Sequence, residues 1–188
     1  MTRIPTPATT DQAPAAAQPL LTAVKAQLGS VPNMFRLIAN SPAALEGYLG
    51  LNGALGKGAL DAATRERIAL AVANINSCLY CNSAHSYLGK NVAKLSNEEL
   101  AANRQGRSTD AKADIAVAFA SKVAAQRGAV DAADVEAVRA AGYSDAELVE
   151  IVAHVALNTL TNYVNEVFKT DVDFPVVALA TTPIAIAA

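Results

Sequence analysis

The chain is poor in several residue types that mark particular functions. Its 188 residues include no tryptophan, two cysteines and two histidines, and only 17% of them are charged. A formal net charge of −2 gives no indication of a protein that binds nucleic acid or an anionic membrane. No stretch reaches the roughly eighteen uninterrupted apolar residues of a membrane span. The first residues lack the apolar segment of a secretory signal, so we expect a cytoplasmic protein.

Alanine and other apolar residues are abundant and bring the hydrophobic content to 52%. Alanine favours helices and allows them to pack closely, and the length suits one domain with a substantial core. A large apolar fraction with few charges also favours buried subunit interfaces. We therefore expect a helical protein that forms homo-oligomers.

Helix signals recur along the chain, whereas strand signals are confined to a β-branched stretch near its end. Asp61 is a good N-cap, Ser77 can cap a helix that starts at or near Cys78, and Ser96 and Ser144 each open a capping box. The pattern predicts an all-α helical bundle with short connections and with the cysteines at a helix N-terminus.

Composition divides the chain into three segments. We predict an extended proline-rich arm, one all-α domain and an uncharged apolar tail, at residues 1–19, 20–175 and 176–188. The tail either crosses onto a neighbouring subunit or lacks order.

The most informative segment is residues 78–85, where two cysteines lie three residues apart and a histidine follows four residues after the second. In a reducing cytosol such a pair is more often catalytic or metal-binding than a structural disulfide. With Cys78 in the first turn of a helix, the helix dipole favours its thiolate, while Cys81 and His85 share one face a turn apart. Glu66 lies on the preceding helix and reaches the site only if a short turn folds that helix back.

These four side chains suffice for a thiol redox cycle. A thiolate attacks a peroxide oxygen and becomes a sulfenic acid, and a positioned imidazole supplies the proton that the departing oxygen needs. The second cysteine then displaces water and leaves a disulfide for an outside reductant.

Other interpretations of the cysteine pair stay open at this point. The chain could be a general dithiol–disulfide oxidoreductase, a non-enzymatic redox-sensing or metal-binding helical oligomer, or a protein whose two cysteines merely pack. The four side chains could also supply zinc ligands, but structural zinc sites usually draw on two separated pairs.

The pattern Glu66-x11-Cys78-x2-Cys81-x3-His85 resembles the alkylhydroperoxidase D family of the carboxymuconolactone decarboxylase-like superfamily. The resemblance covers about residues 20–175 and includes four further segments, at residues 29–35, 65–70, 161–165 and 171–175. Some family members carry a histidine between the cysteines, where this chain has Leu79 followed by a tyrosine. The superfamily's decarboxylases lack the cysteine pair, which argues against decarboxylation here.

The resemblance implies a thiol-dependent peroxidase with an all-α fold that assembles into trimers or hexamers. It implies that Cys81 attacks the peroxide, that Cys78 resolves the sulfenic acid, and that Glu66 and His85 relay protons. The dipole argument favours Cys78 as the attacker; we assign attack to Cys81 because His85 is its neighbour. The implied partners are a hydroperoxide and an external thiol or lipoyl-type reductant, with no cofactor and no metal.

A second polar pattern lies on the last long helix, where uncharged hydrogen-bonding side chains recur every three or four residues: His154, Asn158, Thr161, Asn162 and Asn165. This stripe predicts either a buried polar seam, beside the active site or at a subunit contact, or the polar face of an ordinary amphipathic helix. We assign His154 no catalytic role.

Overall fold

The computed structural model describes residues 2–180, and within that range the fold is all-helical, as predicted. The α-helices found there are α1 Gln18–Leu28, α2 Asn33–Ile38, α3 Pro42–Leu55, α4 Ala62–Ile75, α5 Leu79–Asn91, α6 Asn97–Arg104, α7 Ala111–Ala125, α8 Ala132–Ala140 and α9 Asp145–Phe168. None of these helices combines the length and the apolar character that crossing a membrane requires.

Side-chain caps fix the starts of α4 and α9, which both border the site. The Asp61 carboxylate accepts a hydrogen bond from the backbone N–H of Thr64 at 2.9 Å, as the sequence predicts for an N-cap. Ser144 and Glu147 form the predicted reciprocal capping box of α9. The first residues of both helices are thereby set by local sequence.

Two other predicted helix starts are wrong in detail. Cys78, and not Ser77, is the N-cap of α5, because Ser77 has a φ of 55° and turns the chain through the left-handed region. Ser96 does cap α6, but the predicted capping box does not form. The Glu99 carboxylate instead accepts a hydrogen bond from Arg67 Nε at 2.6 Å.

Helix α4 lies at the centre of the molecule and packs against α5, α7 and α9. One face joins the apolar cluster of α7, α8 and α9 through Ile68 and Val72, which are fully buried. Its C-terminal end joins a second cluster, through Ala73, that includes α1 to α3 and both cysteines. Both cysteines therefore belong to a packed core.

A long-range contact holds the connection between α3 and α4 in place. The Glu150 carboxylate, from the first half of α9, accepts hydrogen bonds from the backbone N–H groups of Ala59 and Leu60, both at 2.9 Å. A Cβ atom at Gly58 would lie 2.5 Å from the same carboxylate, so any larger residue there would displace the carboxylate from this position.

The segment before α1 is tied down by hydrogen bonds. It contains two short 3-10 helices, Thr10–Gln12 and Ala15–Ala17. Arg3 donates to the carbonyl oxygens of Val167 and Phe168 at the end of α9, and Asn40 Nδ2 donates to the Pro5 carbonyl at 2.8 Å. The predicted arm thus runs along the ends of α2 and α9.

Beyond α9 the chain returns along α5. The Tyr80 hydroxyl donates to Asp173 Oδ1 at 2.8 Å, Asn82 Nδ2 donates to the Val177 carbonyl at 2.7 Å, and the Val177 N–H donates to Ser83 Oγ at 3.1 Å. Residues 181–188, the larger part of the predicted tail, lie outside the described residues.

Candidate active site

The four residues that the sequence singles out come together where α5 folds back against α4. Cys78 caps α5, and Cys81 and His85 lie in its first two turns. Glu66 lies in the first half of α4. His85 Nδ1 and Glu66 Oε2 are 2.9 Å apart. The turn between α4 and α5 thus folds the two helices together and brings Glu66 into the site, as the sequence-based hypothesis required.

Both cysteines are free, buried thiols: Cys78 is 0% exposed and Cys81 is 3% exposed. The backbone N–H of Cys81 donates to Cys78 Sγ at 3.2 Å, which is the N-cap hydrogen bond of α5. The Cys81 sulfur accepts a hydrogen bond from Asn165 Nδ2, also at 3.2 Å. The two sulfurs therefore occupy different environments, one bound by the helix backbone and one by a side-chain amide.

These environments separate the acidities of the two thiols. Burial alone would raise the pKa of Cys81, but the hydrogen bond from the Cys78 thiol, the charge of His85, the hydrogen bond from Asn165 and the nearby Asn162 amide outweigh it, and the pKa falls from 9.0 to about 7. The pKa of Cys78 rises, because its thiol donates to Cys81, because it is buried, and because a thiolate at Cys81 repels a second negative charge. Cys81 is thus the thiolate of the pair.

The neighbours of His85 favour its protonated form. Burial would lower its pKa, but the charge of Glu66, the hydrogen bond to Glu66 and the charge of Cys81 raise it above the ordinary 6.5. The side chains of His85 and Glu66 are each 22% exposed. An imidazole with a raised pKa thus lies one helical turn from Cys81 and at the edge of solvent.

The polar stripe of α9 is buried, so its interpretation as an ordinary solvated helix face is wrong. All five members are at most 6% exposed: His154, Asn158, Thr161, Asn162 and Asn165. The last two border the thiols, since Asn165 and Asn162 both lower the pKa of Cys81. Sequence reasoning marked this stripe but did not place Asn165 or Asn162 in the site.

A cleft of about 970 Å³ opens onto the site between α1 and α3 on one side and α4 and α9 on the other. Glu66 and His85 both line the cleft, so the hydrogen-bonded His–Glu pair faces it. Tyr48 also lines it and was missed by the sequence analysis. Its pKa is raised by burial and by the charges of Cys81 and Glu66, so its hydroxyl lies within electrostatic reach of both groups.

The arrangement gathers the parts of a two-thiol reaction in one place. It provides one activated sulfur, a second protonated sulfur in hydrogen-bond contact with it, and an imidazolium beside an open cleft. Within residues 2–180, no three side chains of the His, Cys, Asp or Glu types are grouped so that they could hold a metal ion.

The segment that carries these residues matches a known protein family, and the fold matches those of solved structures. The carboxymuconolactone decarboxylase family matches residues 42–126, a range that contains all four site residues. A peroxidase-related protein from Ralstonia eutropha JMP134, described as an alkylhydroperoxidase AhpD core, is 27% identical, with a TM-score of 0.81 over 92% of each chain. A peroxidase-related protein from Silicibacter sp. TM1040 is 26% identical, with a TM-score of 0.78 over 90% of this chain and 91% of its own.

The same fold occurs in the debrominase Bmp8, which is 19% identical, with a TM-score of 0.71 over 85% of this chain and 87% of its own. No curated protein matches the chain significantly.

The fold and the site together define an all-helical protein with a dithiol at the start of one helix and a His–Glu pair beside it. In its matched segment and in its fold, the chain is similar to AhpD-like proteins of the carboxymuconolactone decarboxylase superfamily.

Proposed function

We propose that the chain is an antioxidant thiol peroxidase that reduces hydrogen peroxide and organic hydroperoxides through a Cys78–Cys81 dithiol–disulfide cycle. The observation that carries this proposal is the environment of Cys81. Its sulfur accepts a hydrogen bond from Asn165 at 3.2 Å and has a pKa of about 7. A thiolate is the nucleophile in such reactions, and this one is populated at neutral pH.

The first step is attack by the Cys81 thiolate on the hydroxyl oxygen of the hydroperoxide. A sulfur–oxygen bond forms and the oxygen–oxygen bond breaks, which leaves a sulfenic acid on Cys81 and an alkoxide. The alkoxide takes a proton from the imidazolium of His85 and departs as an alcohol. Glu66 supports this step because its charge raises the pKa of His85.

The second step forms a disulfide between Cys78 and Cys81. The Cys78 sulfur attacks the sulfenic sulfur of Cys81, the sulfur–oxygen bond breaks, and the released hydroxide leaves as water with the proton of the Cys78 thiol. An external thiol or lipoyl-type reductant then supplies two electrons and two protons, which reduce the disulfide back to two thiols. A reducing compartment such as the cytoplasm would sustain this cycle.

The burial of the sulfurs favours a small substrate over a protein disulfide. With exposures of 0% and 3% for Cys78 and Cys81, a folded protein is poorly placed to bring its own disulfide into line with either sulfur. A small hydroperoxide can approach from the cleft that Glu66 and His85 line. This argues for a peroxidase rather than a general disulfide oxidoreductase. Comparing the reduction of insulin disulfides with peroxide consumption separates the two activities.

The direct test is the consumption of hydrogen peroxide and cumene hydroperoxide in the presence of a dithiol. We expect turnover by the native protein, no turnover by Cys81→Ser, and a trappable sulfenic acid on Cys81 in Cys78→Ser. Absence of turnover with every dithiol and lipoyl donor, together with an unchanged thiol count after peroxide, would sink the proposal.

We also propose that the protein forms homo-oligomers, trimers or hexamers, as the resemblance predicts. The outer face of α9 presents exposed apolar side chains at helical spacing: Val149, Val152, Leu160, Tyr163 and Val167. Such a face is typical of a protein contact. Light scattering measures the assembly size, and Leu160→Glu is expected to reduce it; a monomeric native protein contradicts this proposal.

A further inference from the structure

The cleft contains a buried polar group that the proposed reaction does not use. His154 borders the cleft from α9 and is only 5% exposed. Its Nε2 atom has no hydrogen-bond partner within residues 2–180. A buried ring nitrogen without a partner is costly, so a polar group that binds there would gain a full hydrogen bond.

The cleft is much larger than hydrogen peroxide needs. Its volume of about 970 Å³ falls in the range of about 300–1,000 Å³ that is typical of sites for drug-sized ligands. Apolar side chains line it on both sides: Leu20, Val24 and Leu49 from α1 and α3, and Leu157 from α9. It therefore fits a molecule with an apolar body.

Glycines in α3 keep the cleft open. Gly50 and Gly53 both line it, and a Cβ atom at either position would meet no atom within 4 Å. Glycine within a helix costs about 0.5–1 kcal/mol relative to alanine. No packing contact requires glycine at these two positions. Their missing side chains therefore widen the cleft.

The charges around the cleft favour an uncharged ligand. Charged side chains of both signs line it: Glu46 and Glu66 are acidic, Lys57 and Arg65 are basic, and His85 pairs with Glu66. The Arg65 guanidinium donates to backbone carbonyl oxygens at 3.1 and 3.0 Å. Burial and the charge of Arg65 lower the pKa of His154, which keeps its ring neutral.

We propose that this cleft binds the organic part of a hydroperoxide, and that His154 selects substrates by a hydrogen bond to an uncharged hydroxyl or carbonyl group on that part. The inference rests on the proposed peroxidase function and adds to it a substrate class, namely bulky neutral hydroperoxides with a second polar group. The charges of Glu66 and His85 both act on His154, so its ring lies within electrostatic reach of the reacting end. His154 is a binding residue in this scheme and takes no part in proton transfer.

The test compares hydrogen peroxide, cumene hydroperoxide and the ring-acetylated isomers of cumene hydroperoxide. We expect native protein to prefer at least one acetyl isomer over the parent compound by about two- to tenfold in KM, the value of one neutral hydrogen bond. His154→Leu should abolish that preference, and His154→Gln, which retains a hydrogen-bonding amide, should restore part of it. An unchanged preference in His154→Leu, or an equal loss of kcat/KM for all three peroxides, overturns the assignment of His154.

A second pair of variants tests the cleft independently of His154. Gly53→Leu places a side chain in the open space and should lower kcat/KM for cumene hydroperoxide about tenfold or more relative to hydrogen peroxide. Gly47→Leu is the matched control: it is the same change on the same helix, at a position that does not line the cleft and whose Cβ meets nothing within 4 Å. If both variants keep the native ratio between the two peroxides, the cleft is not the binding site.

A binding measurement separates failure of this inference from failure of the proposed function. Titration of native protein and His154→Leu with the alcohol products of cumene hydroperoxide and its acetyl isomers needs no turnover. Tighter binding of an acetyl alcohol by the native protein alone supports the cleft even if no peroxide is consumed. Equal binding by both proteins contradicts it even if peroxide is consumed.

Discussion

Replacing Asn165 by leucine should raise the pKa of Cys81 substantially while preserving the fold. Asn165 is 2% exposed, and its Nδ2 atom donates to Cys81 Sγ at 3.2 Å. Its Oδ1 atom has no partner within the described residues. Leucine has a similar size and leaves no polar atom unpaired, so the change removes the hydrogen bond without opening a large cavity.

The expected magnitude follows from the strength of a hydrogen bond to a charged acceptor, about 1.5–3 kcal/mol. One pKa unit corresponds to about 1.4 kcal/mol, so the pKa of Cys81 should rise from about 7 to about 8–9. At pH 7 the thiolate fraction then drops from about one half to between about a tenth and a hundredth. Peroxide consumption at that pH should fall about five- to fiftyfold and recover in alkaline buffer.

The assay is the pH dependence of thiolate absorbance and of alkylation by iodoacetamide. It is made in a Cys78→Ser background, where Cys81 is the only thiol and a hydroxyl still stands beside it. Asn158→Leu is the control, since the Asn158 amide donates to the His154 carbonyl and not to sulfur; its Cys81 pKa should stay near that of the background. An Asn165→Leu protein with the background pKa would refute the assignment of Asn165 as a thiolate-stabilising residue.

Four further results are expected. Peroxide consumption should rise with pH through about 7 as Cys81 ionises, and it should fall at higher pH as His85 loses its proton. Glu66→Gln should move that fall to lower pH, because the change removes the charge that raises the pKa of His85. Gly47→Ala should raise the free energy of unfolding by about 0.5–1 kcal/mol in a denaturant titration, since its Cβ meets no atom within 4 Å; a loss of stability contradicts this. Glu99→Gln should lower the free energy of unfolding by about 3 kcal/mol in the same titration. A denaturation midpoint equal to that of the native protein would show that the buried Arg67–Glu99 ion pair does not stabilise the fold.

The pH dependence of stability gives a separate check on Glu99. Burial would raise its pKa, but hydrogen bonds from Ser108, Thr109 and Asn103 outweigh this effect and lower the pKa from 4.5 to about 2. The group therefore stabilises the fold at all pH values above about 4.5, and this contribution is lost as the pH falls toward 2. The Glu99→Gln variant should lack this acid-dependent loss.

The sequence was sufficient where local chemistry decides the structure. Helix caps such as Asp61 and Ser144 depend on residues three positions apart, and both were predicted correctly. The cysteines and His85 lie within eight consecutive residues, so helical spacing alone places them together. Whether they act as proposed stays a prediction.

The sequence was insufficient where the site depends on packing between distant helices. Asn165 reaches Cys81 across 84 positions of the chain, and no local pattern states which face of α9 meets α5. The stripe on α9 was visible, but its burial and its contact with sulfur were not. The Glu99 carboxylate was likewise misplaced, because a long-range partner, Arg67, competes with the local capping box.

The proposed Cys78–Cys81 redox cycle is tested most directly by mass spectrometry of the protein after it has reacted with a single equivalent of hydroperoxide. We expect native protein to lose two hydrogens as Cys78 and Cys81 form a disulfide, and Cys78→Ser to gain one oxygen, mapped to Cys81 by a sulfenic-acid trap. Trapping of a sulfenic acid on Cys78 in Cys81→Ser at the native rate, or a native protein left unchanged by peroxide, would contradict it.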